Sequence, residues 1–114
     1  MNVTRFDTAA QYFPPSHEGM VCLRLQGQEA GPADTAWMGV SHILPGGGTT
    51  LDASPVEKFY VVLEGHVTIV TESGEETLGR HDSCRLAPGE KRALKNLTNR
   101  PATILLVMPF NKAI

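Results

Sequence analysis

The stretch PGGGTTLDASPVEKFYVVLEG, from Pro45 to Gly65, holds polar side chains whose types can do acid–base chemistry if the fold brings them together. A lysine amine loses part of its proton affinity when it leaves water, so Lys58 in a pocket would serve as a base or form a Schiff base. Asp52 beside it would pass a proton, and Tyr60 or His42 would act as the conjugate acid. Lys58, Asp52 and Tyr60 are therefore the candidate catalytic residues.

Short apolar runs separated by turn residues make up most of the chain, a pattern typical of an all-β sandwich or barrel. Helix signals are nearly absent, with one turn at most in DTAAQYF. We expect one domain over residues 1–114, in which residues 1–15 form an N-terminal arm. PGGG at Pro45–Gly48 is expected to break the chain sharply. The predicted strands are Met20–Leu25, Ala36–Leu44, Lys58–Leu63, His66–Thr71, Glu76–Leu78, Ser83–Leu86, Lys91–Asn96 and Thr103–Met108.

The four histidines divide by their place in these strands. Side chains alternate between the two faces of a strand, and His42 shares a face with three apolar residues of its strand, so we expect it to point inward. His66 and His81 lie in turn regions and are expected to face solvent. His17 would reach the interior if the arm folded over the mouth of a barrel.

Two motifs give the chain a resemblance to the cupins, which are small antiparallel jelly-roll β-barrels. The first cupin motif, G-x5-H-x-H-x3-E-x6-G, fits from Gly46 to Gly65 with every spacing kept. The second, G-x5-P-x-G-x2-H-x3-N, matches at Gly89 and Asn96, while His81 stands at its first glycine position. The resemblance implies an all-β fold, namely a small antiparallel jelly-roll barrel. It does not imply one activity, because a fold hosts many functions.

In metal-bearing cupins, three histidines and a glutamate hold an ion inside the barrel. The resemblance implies that the equivalent positions converge here, and they carry Asp52, Ser54, Lys58 and Arg92. Ammonium and guanidinium groups have no lone pair for a metal and would repel it. We therefore expect no metal and no other cofactor at this position.

Two inward cations against one inward acid would leave about one positive charge for a ligand to neutralise. Arg92 offers a fork of donors suited to a carboxylate, and Lys58 adds a point charge. This favours a metal-free cupin whose barrel pocket binds a small anionic metabolite of the carboxylate type. The candidate binding residues are Arg92, Lys58, Ser54, His42 and Asn96.

Three alternatives stay open from the sequence. The protein would be a metal-independent isomerase or lyase of a small keto or hydroxy acid if Lys58, Asp52 and Arg92 were the working residues. It would be a metalloenzyme if His42, His17 and Asp52 formed a facial triad of ligands. It would be a protein-interaction subunit if an ion pair of Asp52 with Lys58 or Arg92 plugged the barrel.

Composition excludes other partners. The 114 residues carry a net charge of -2 and no basic block, which argues against nucleic acid. No apolar run approaches the roughly 20 residues that span a bilayer, and the N-terminus lacks the apolar core of a signal peptide, so we expect a cytoplasmic protein.

Cys22 and Cys84 are expected to be reduced. Cupins of this size commonly pair, and the resemblance implies a homodimer, for which the apolar strand Ala102–Phe110 is suited.

Overall fold

The computed structural model describes residues 1–110, and over this range the chain forms β-strands with two short 3₁₀ turns. The turns are Phe6–Thr8, which is the turn expected in DTAAQYF, and Gln28–Ala30. The predicted strands are all present, several with wider bounds. The strands are β1 (Gln11–Tyr12), β2 (His17–Gln26), β3 (Ala36–Thr49), β4 (Lys58–Glu64), β5 (Val67–Thr71), β6 (Gly74–Leu78), β7 (Ser83–Leu86), β8 (Arg92–Lys95) and β9 (Ala102–Pro109).

The strand pairings are antiparallel and join in the order β6-β5-β8-β3-β9-β4-β7. Strand β2 pairs with the opposite edge of β3, and β1 pairs with β2. Strand β3 bonds to three neighbours, so the sheet curls around it into a nearly closed barrel. This architecture confirms the prediction of an all-β, antiparallel jelly-roll barrel. Among the described residues, no helix is long and apolar enough to cross a membrane.

Alternation along the strands separates a core-facing set from an outer set. Ile43, Val62 and Ile104 are almost completely buried and belong to one apolar cluster in the barrel. Lys58 and Tyr60 share the inner face of β4 with Val62, because side chains two residues apart lie on the same side of a strand. The core closes one end of the barrel and leaves polar inner positions at the other.

The glycine stretch at Pro45–Gly48 does not break the chain, and the prediction that it would is wrong. Strand β3 runs through it to Thr49, where Gly48 pairs with both Glu18 and Lys95. Gly48 has a φ of 156°, and a Cβ atom there would lie 2.0 Å from the carbonyl oxygen of Leu94. Only glycine allows β3 to pass so close to β8, so the residue extends the strand where composition predicts a turn.

His42 lies on the outer face of the barrel, so the prediction that it points inward is wrong. Its Nδ1 lies 3.0 Å from Oγ1 of Thr103, and the ring of Phe6 packs edge-on against it at 5.6 Å. The N-terminal segment thus covers part of this outer face, which explains why β3 is apolar on both sides. His66 and His81 are exposed, as expected. His81 has a φ of 71°, in the left-handed region, where the cupin motif has a glycine.

The N-terminal segment is joined to the barrel. The backbone N–H of Arg24 donates to the carbonyl of Ala10 at 2.8 Å, and β1 pairs with β2. Residues 11–15 then turn over the open end of the barrel. The predicted domain also includes residues 111–114, which lie outside the described residues.

Candidate functional site

A cavity of about 350 Å³ occupies the open end of the barrel. Strands β2, β3, β4 and β8 supply its polar side chains, which are His17, Arg24, Ser41, Lys58, Tyr60 and Arg92. Tyr12, Phe13 and Trp37 add aromatic surface, and the other described lining residues are apolar. No aspartate or glutamate lines the cavity within residues 1–110, so its charged side chains are all cationic.

Arg92 and Tyr60 form the floor of this cavity. Arg92 is 6% exposed, and its Nε donates a hydrogen bond of 3.0 Å to the hydroxyl of Tyr60. Burial raises the pKa of Tyr60, although the adjacent Arg92 acts in the opposite direction. The phenol is therefore neutral at ordinary pH. It holds the guanidinium in place without cancelling its charge.

Lys58 stands beside Arg92 without a carboxylate partner. Within the part of the chain that the structure describes, the ion pairs are Arg24 with Glu29 and Arg85 with Glu57. Burial and, to a smaller extent, the charge of Arg92 together lower the pKa of Lys58 to about 8. At neutral pH the amine is still mostly protonated, so the site holds two adjacent cations.

Asp52 and Ser54 lie on the other side of this cation pair. Together with Lys58 and Arg92 they line a crevice that is too narrow for a water molecule, so the four positions of the first and second motifs do converge. Asp52 is exposed, accepts a hydrogen bond from the hydroxyl of Thr50, and pairs through its backbone with Arg92. Neither Asp52 nor Ser54 reaches the cavity, contrary to their predicted roles there. The chain between β3 and β4 is irregular, so alternation does not apply to it.

The residues at the family's metal positions do not fit a metal ion. Two of the four side chains are cations, and the described residues contain no group of three His, Cys, Asp or Glu side chains that could hold a metal. The alternative triad is not assembled, because His42 lies on the outer face while His17 lies at the mouth. The alternative ion-pair plug is not formed either, since no described carboxylate forms a salt bridge with Lys58 or Arg92.

Asn96 has a structural place, which corrects its predicted role in ligand binding. It is fully buried, and its amide donates to the carbonyls of Ile43 at 2.8 Å and Arg100 at 2.7 Å. Its oxygen accepts from the backbone N–H and the hydroxyl of Thr98. These four hydrogen bonds use every donor and acceptor of the side chain, so nothing is left for a ligand.

His17 does reach the cavity. Strand β2 begins at this residue, and its Nδ1 lies 2.7 Å from the carbonyl oxygen of Pro15. Burial lowers the pKa of His17, and the nearby charges of Arg92 and Lys58 add to this effect, while the bond to Pro15 and the charge of Asp52 oppose it. The imidazole is therefore neutral at neutral pH.

The sequence prediction missed the aromatic wall and its arginine. The guanidinium carbon of Arg24 lies 3.5 Å from the ring centre of Tyr12 and 4.4 Å from that of Trp37, while Nε bonds to Glu29 at 2.9 Å. Burial raises the pKa of Tyr12 to about 12. These residues lie outside the two motifs. The available signal was the period of two, which places Trp37 and Ser41 together on the face opposite His42.

Residues 39–108 match the family described as Cupin domain. The chain is also 38% identical over 108 residues to a protein of Mycobacterium tuberculosis (strain ATCC 25618 / H37Rv) named Beta-D-galactosidase Rv1717, which covers 95% of this chain and 93% of the relative. The chain belongs to the cupin family.

Solved structures show the same fold in this cupin's more distant relatives. The polyketide cyclase RemF from Streptomyces resistomycificus has a TM-score of 0.84 at 19% identity, covering 96% of this chain and 79% of that one. The sugar phosphate isomerase SPO2919 from Silicibacter pomeroyi has a TM-score of 0.80 at 23% identity, covering 94% and 74%. At these identities the likeness concerns the fold and not the reaction.

Proposed function

We propose that this cupin binds a small anionic molecule of the carboxylate type in the cavity at the open end of the barrel, without a metal ion. The single observation that carries the proposal is the pair Lys58 and Arg92, two neighbouring cations that line the cavity and have no ion-pair partner among the described residues. Buried charges are costly unless they are paired, so a site of this kind favours a ligand of opposite charge.

The geometry of Arg92 supports a carboxylate or phosphate group on the ligand. Its Nε is already bonded to Tyr60, and its two Nη groups have no hydrogen-bond partner within residues 1–110. No buried side-chain nitrogen or oxygen is left unsatisfied in that range, so the Nη groups keep contact with open space. They would donate to an acid group that Lys58 also approaches. The aromatic side chains of Tyr12 and Trp37 would cover the uncharged body of the ligand.

Hydrolysis of a galactoside, the activity in the relative's name, has no evident machinery in this cavity. Glycosidases usually place two carboxyl groups on either side of the bond they cleave, roughly 5–10 Å apart. Asp52 and Glu90 line the closed crevice, where Glu90 accepts a hydrogen bond from the backbone of Ala87, and Glu29 is paired with Arg24. The relative's name still suggests sugars as the body of the ligand, so acidic sugars belong in any ligand screen.

Calorimetry with matched pairs of acids and neutral analogues tests the proposal. Galacturonate against galactose, and pyruvate against pyruvamide, each differ in the carboxylate alone. We expect at least one acid to bind at least tenfold more tightly than its neutral analogue, which corresponds to about 1.4 kcal/mol. Equal affinity within every pair would contradict the proposal. Cleavage of a chromogenic galactoside that is lost in the R92M variant would instead favour the activity of the relative.

We further propose that two copies of the chain pair through the outer face of β4 and β9. Phe59 is 42% exposed and lies opposite Val107, and Val61 lies opposite Leu105, which gives a continuous apolar strip. The ion pair of Glu57 with Arg85 borders this strip, so twofold pairing would place opposite charges across the contact. Light scattering should give a dimer mass that F59K reduces to a monomer. The control L97S, at another exposed apolar residue, should leave it unchanged, and a monomeric wild type at high concentration would contradict the pairing.

A further inference from the structure

His17 is the one side chain of the described cavity lining that has a neutral nitrogen lone pair available. A backbone carbonyl can only accept a hydrogen bond, so the contact of 2.7 Å with Pro15 requires the proton on Nδ1. In a neutral ring this leaves Nε2 as the basic nitrogen. Among residues 1–110, Nε2 has no protein hydrogen-bond partner, and it is the remaining polar atom of a residue that lines the cavity.

The surroundings of His17 keep this nitrogen free. Partial burial lowers the pKa of His17, and the charges of Arg92 and Lys58 act in the same direction, while the hydrogen bond to Pro15 and the charge of Asp52 oppose this shift. Of the other titratable groups around the cavity, Tyr12 and Tyr60 are neutral, and Arg24 is paired with Glu29. A base thus lies beside two cations in one cavity, with no carboxylate among the described lining residues to compete for them.

We infer that His17 is the proton acceptor of a reaction in this cavity, and that the substrates are keto acids or keto phosphates with a hydrogen on the carbon next to the carbonyl. The inference rests on the proposed anion site. The C–H bond breaks, its proton moves to Nε2 of His17, and the electron pair moves to the carbonyl oxygen as an enolate. Lys58 and Arg92 stabilise the negative oxygen. Return of the proton to the same carbon regenerates the substrate and exchanges the hydrogen with solvent. Where that carbon also carries a hydroxyl group, the intermediate is an enediolate; return of the proton to the former carbonyl carbon, with the hydroxyl proton moving to the enolate oxygen, completes an isomerisation. Neither outcome needs an oxidant, a reductant or a further reactant.

Lys58 and Asp52 are less suited to accept this proton. With a pKa of about 8, the Lys58 amine carries its proton at neutral pH and serves to stabilise negative charge. Asp52 lies in the crevice on the other side of Lys58 and Arg92, and it does not line the cavity. His17 therefore acts as the base, and Lys58 and Arg92 stabilise the negative oxygen of the enolate.

Deuterium incorporation tests the inference. Pyruvate and dihydroxyacetone phosphate are incubated with the protein in heavy water, and loss of the proton signal next to the carbonyl is followed by NMR. We expect the wild type to accelerate exchange of at least one probe that binds. In H17N the side-chain amide can still donate to Pro15, but no basic nitrogen remains at the position of Nε2. Exchange should fall about 100-fold or more, while the affinity for the probe changes less than about threefold.

The controls separate this inference from the proposed anion site. H66N removes an exposed histidine outside the cavity and should exchange at the wild-type rate. If H17N does not fold, H17Q takes its place, and the imidazole ¹⁵N shifts of the wild-type protein give a second readout in which Nε2 must be unprotonated at neutral pH. Binding without exchange, exchange unchanged in a folded His17 variant, or a protonated Nε2 would overturn the role of His17 and leave the anion site standing. Absence of binding to any acid would overturn the anion site itself.

Discussion

The two sides of the Lys58 and Arg92 pair differ in charge and in space. On one side, Asp52 and Glu90 line a crevice without room for water. On the other side is a cavity of about 350 Å³ whose charged groups are all cationic among the described residues. The acids that line the crevice form no salt bridge with the two cations. The positive charge of the pair is thus not cancelled from the crevice side.

This difference arises at the place where metal-bearing cupins hold their ion. The spacing of the cupin motifs is kept, so the side chains at the metal positions still meet at one place. The long cationic side chains of Lys58 and Arg92 then extend from that place into the neighbouring cavity. The positive charge of a metal ion is replaced by fixed side chains, which favour an anion but offer no coordination. If function lies on the cavity side, substitutions of Lys58 and Arg92 should have larger effects than a substitution of Asp52.

The largest expected effect is that of R92M on acid binding. The substitution removes two free Nη donors and the charge, and charged hydrogen bonds contribute about 1.5–3 kcal/mol each, so the affinity for a binding acid should fall about 100-fold. Calorimetry measures the loss, and circular dichroism checks the fold. R85M, which breaks the exposed ion pair with Glu57, is the matched control and should change the affinity less than about twofold. A similar loss in both variants would contradict the assignment.

K58M comes next, with an expected loss of about tenfold in acid affinity. Lysine supplies a point charge without the fixed fork of arginine, so its removal costs less. The same substitution should raise the thermal midpoint of the ligand-free protein, because a half-buried amine without an ion pair is replaced by an apolar side chain. A lower thermal midpoint in K58M would show that Lys58 has a stabilising partner. It would contradict the conclusion that the positive charge of Lys58 is not cancelled from the crevice side.

The structure differs from the sequence prediction at residues that lie outside the two cupin motifs. The motif spacing predicts that Lys58 and Arg92 lie together, and both line the cavity, because turn glycines and strand lengths fix that part of the barrel. His42 is misplaced because both faces of β3 are apolar, and periodicity does not tell a face covered by Phe6 from the core. Arg24 and Tyr12 come from β2 and β1, whose position over the mouth depends on long-range pairing. Local patterns contain no information about such contacts.

A smaller effect is expected from pH. The folded protein lowers the pKa of Lys58 from 10.5 to about 8, so the amine loses its charge between neutral and mildly alkaline pH. Acid affinity should therefore fall roughly fivefold from about pH 7 to about pH 9, while the K58M variant stays flat, because the guanidinium of Arg92 keeps its charge. Isothermal titration at several pH values measures this. Equal pH dependence in both proteins would assign the titration to another group.

The same shift has a consequence for stability. Between pH values of about 8 and 10.5 the unfolded chain binds more protons at Lys58 than the folded chain does. The contribution of this residue to the free energy of unfolding therefore rises with pH across that window. Denaturant titrations of the wild type and K58M should show the difference between the two proteins change in this window. A difference that stays constant there would mean that Lys58 is not desolvated in the free protein.

The smallest expected effect is that of D52N, which tests directly whether the crevice side takes part in acid binding. Asp52 is exposed, bonds to Thr50, and lies across the cation pair from the cavity. Removal of its charge should leave acid affinity within about twofold of the wild type, with a slight gain because a distant negative charge is lost. A tenfold loss of acid affinity in D52N would mean that Asp52 takes part in binding and that the binding site includes the crevice. Since Asp52 and Arg92 pair through their backbones, the contrast between D52N and R92M separates the two sides better than either variant alone.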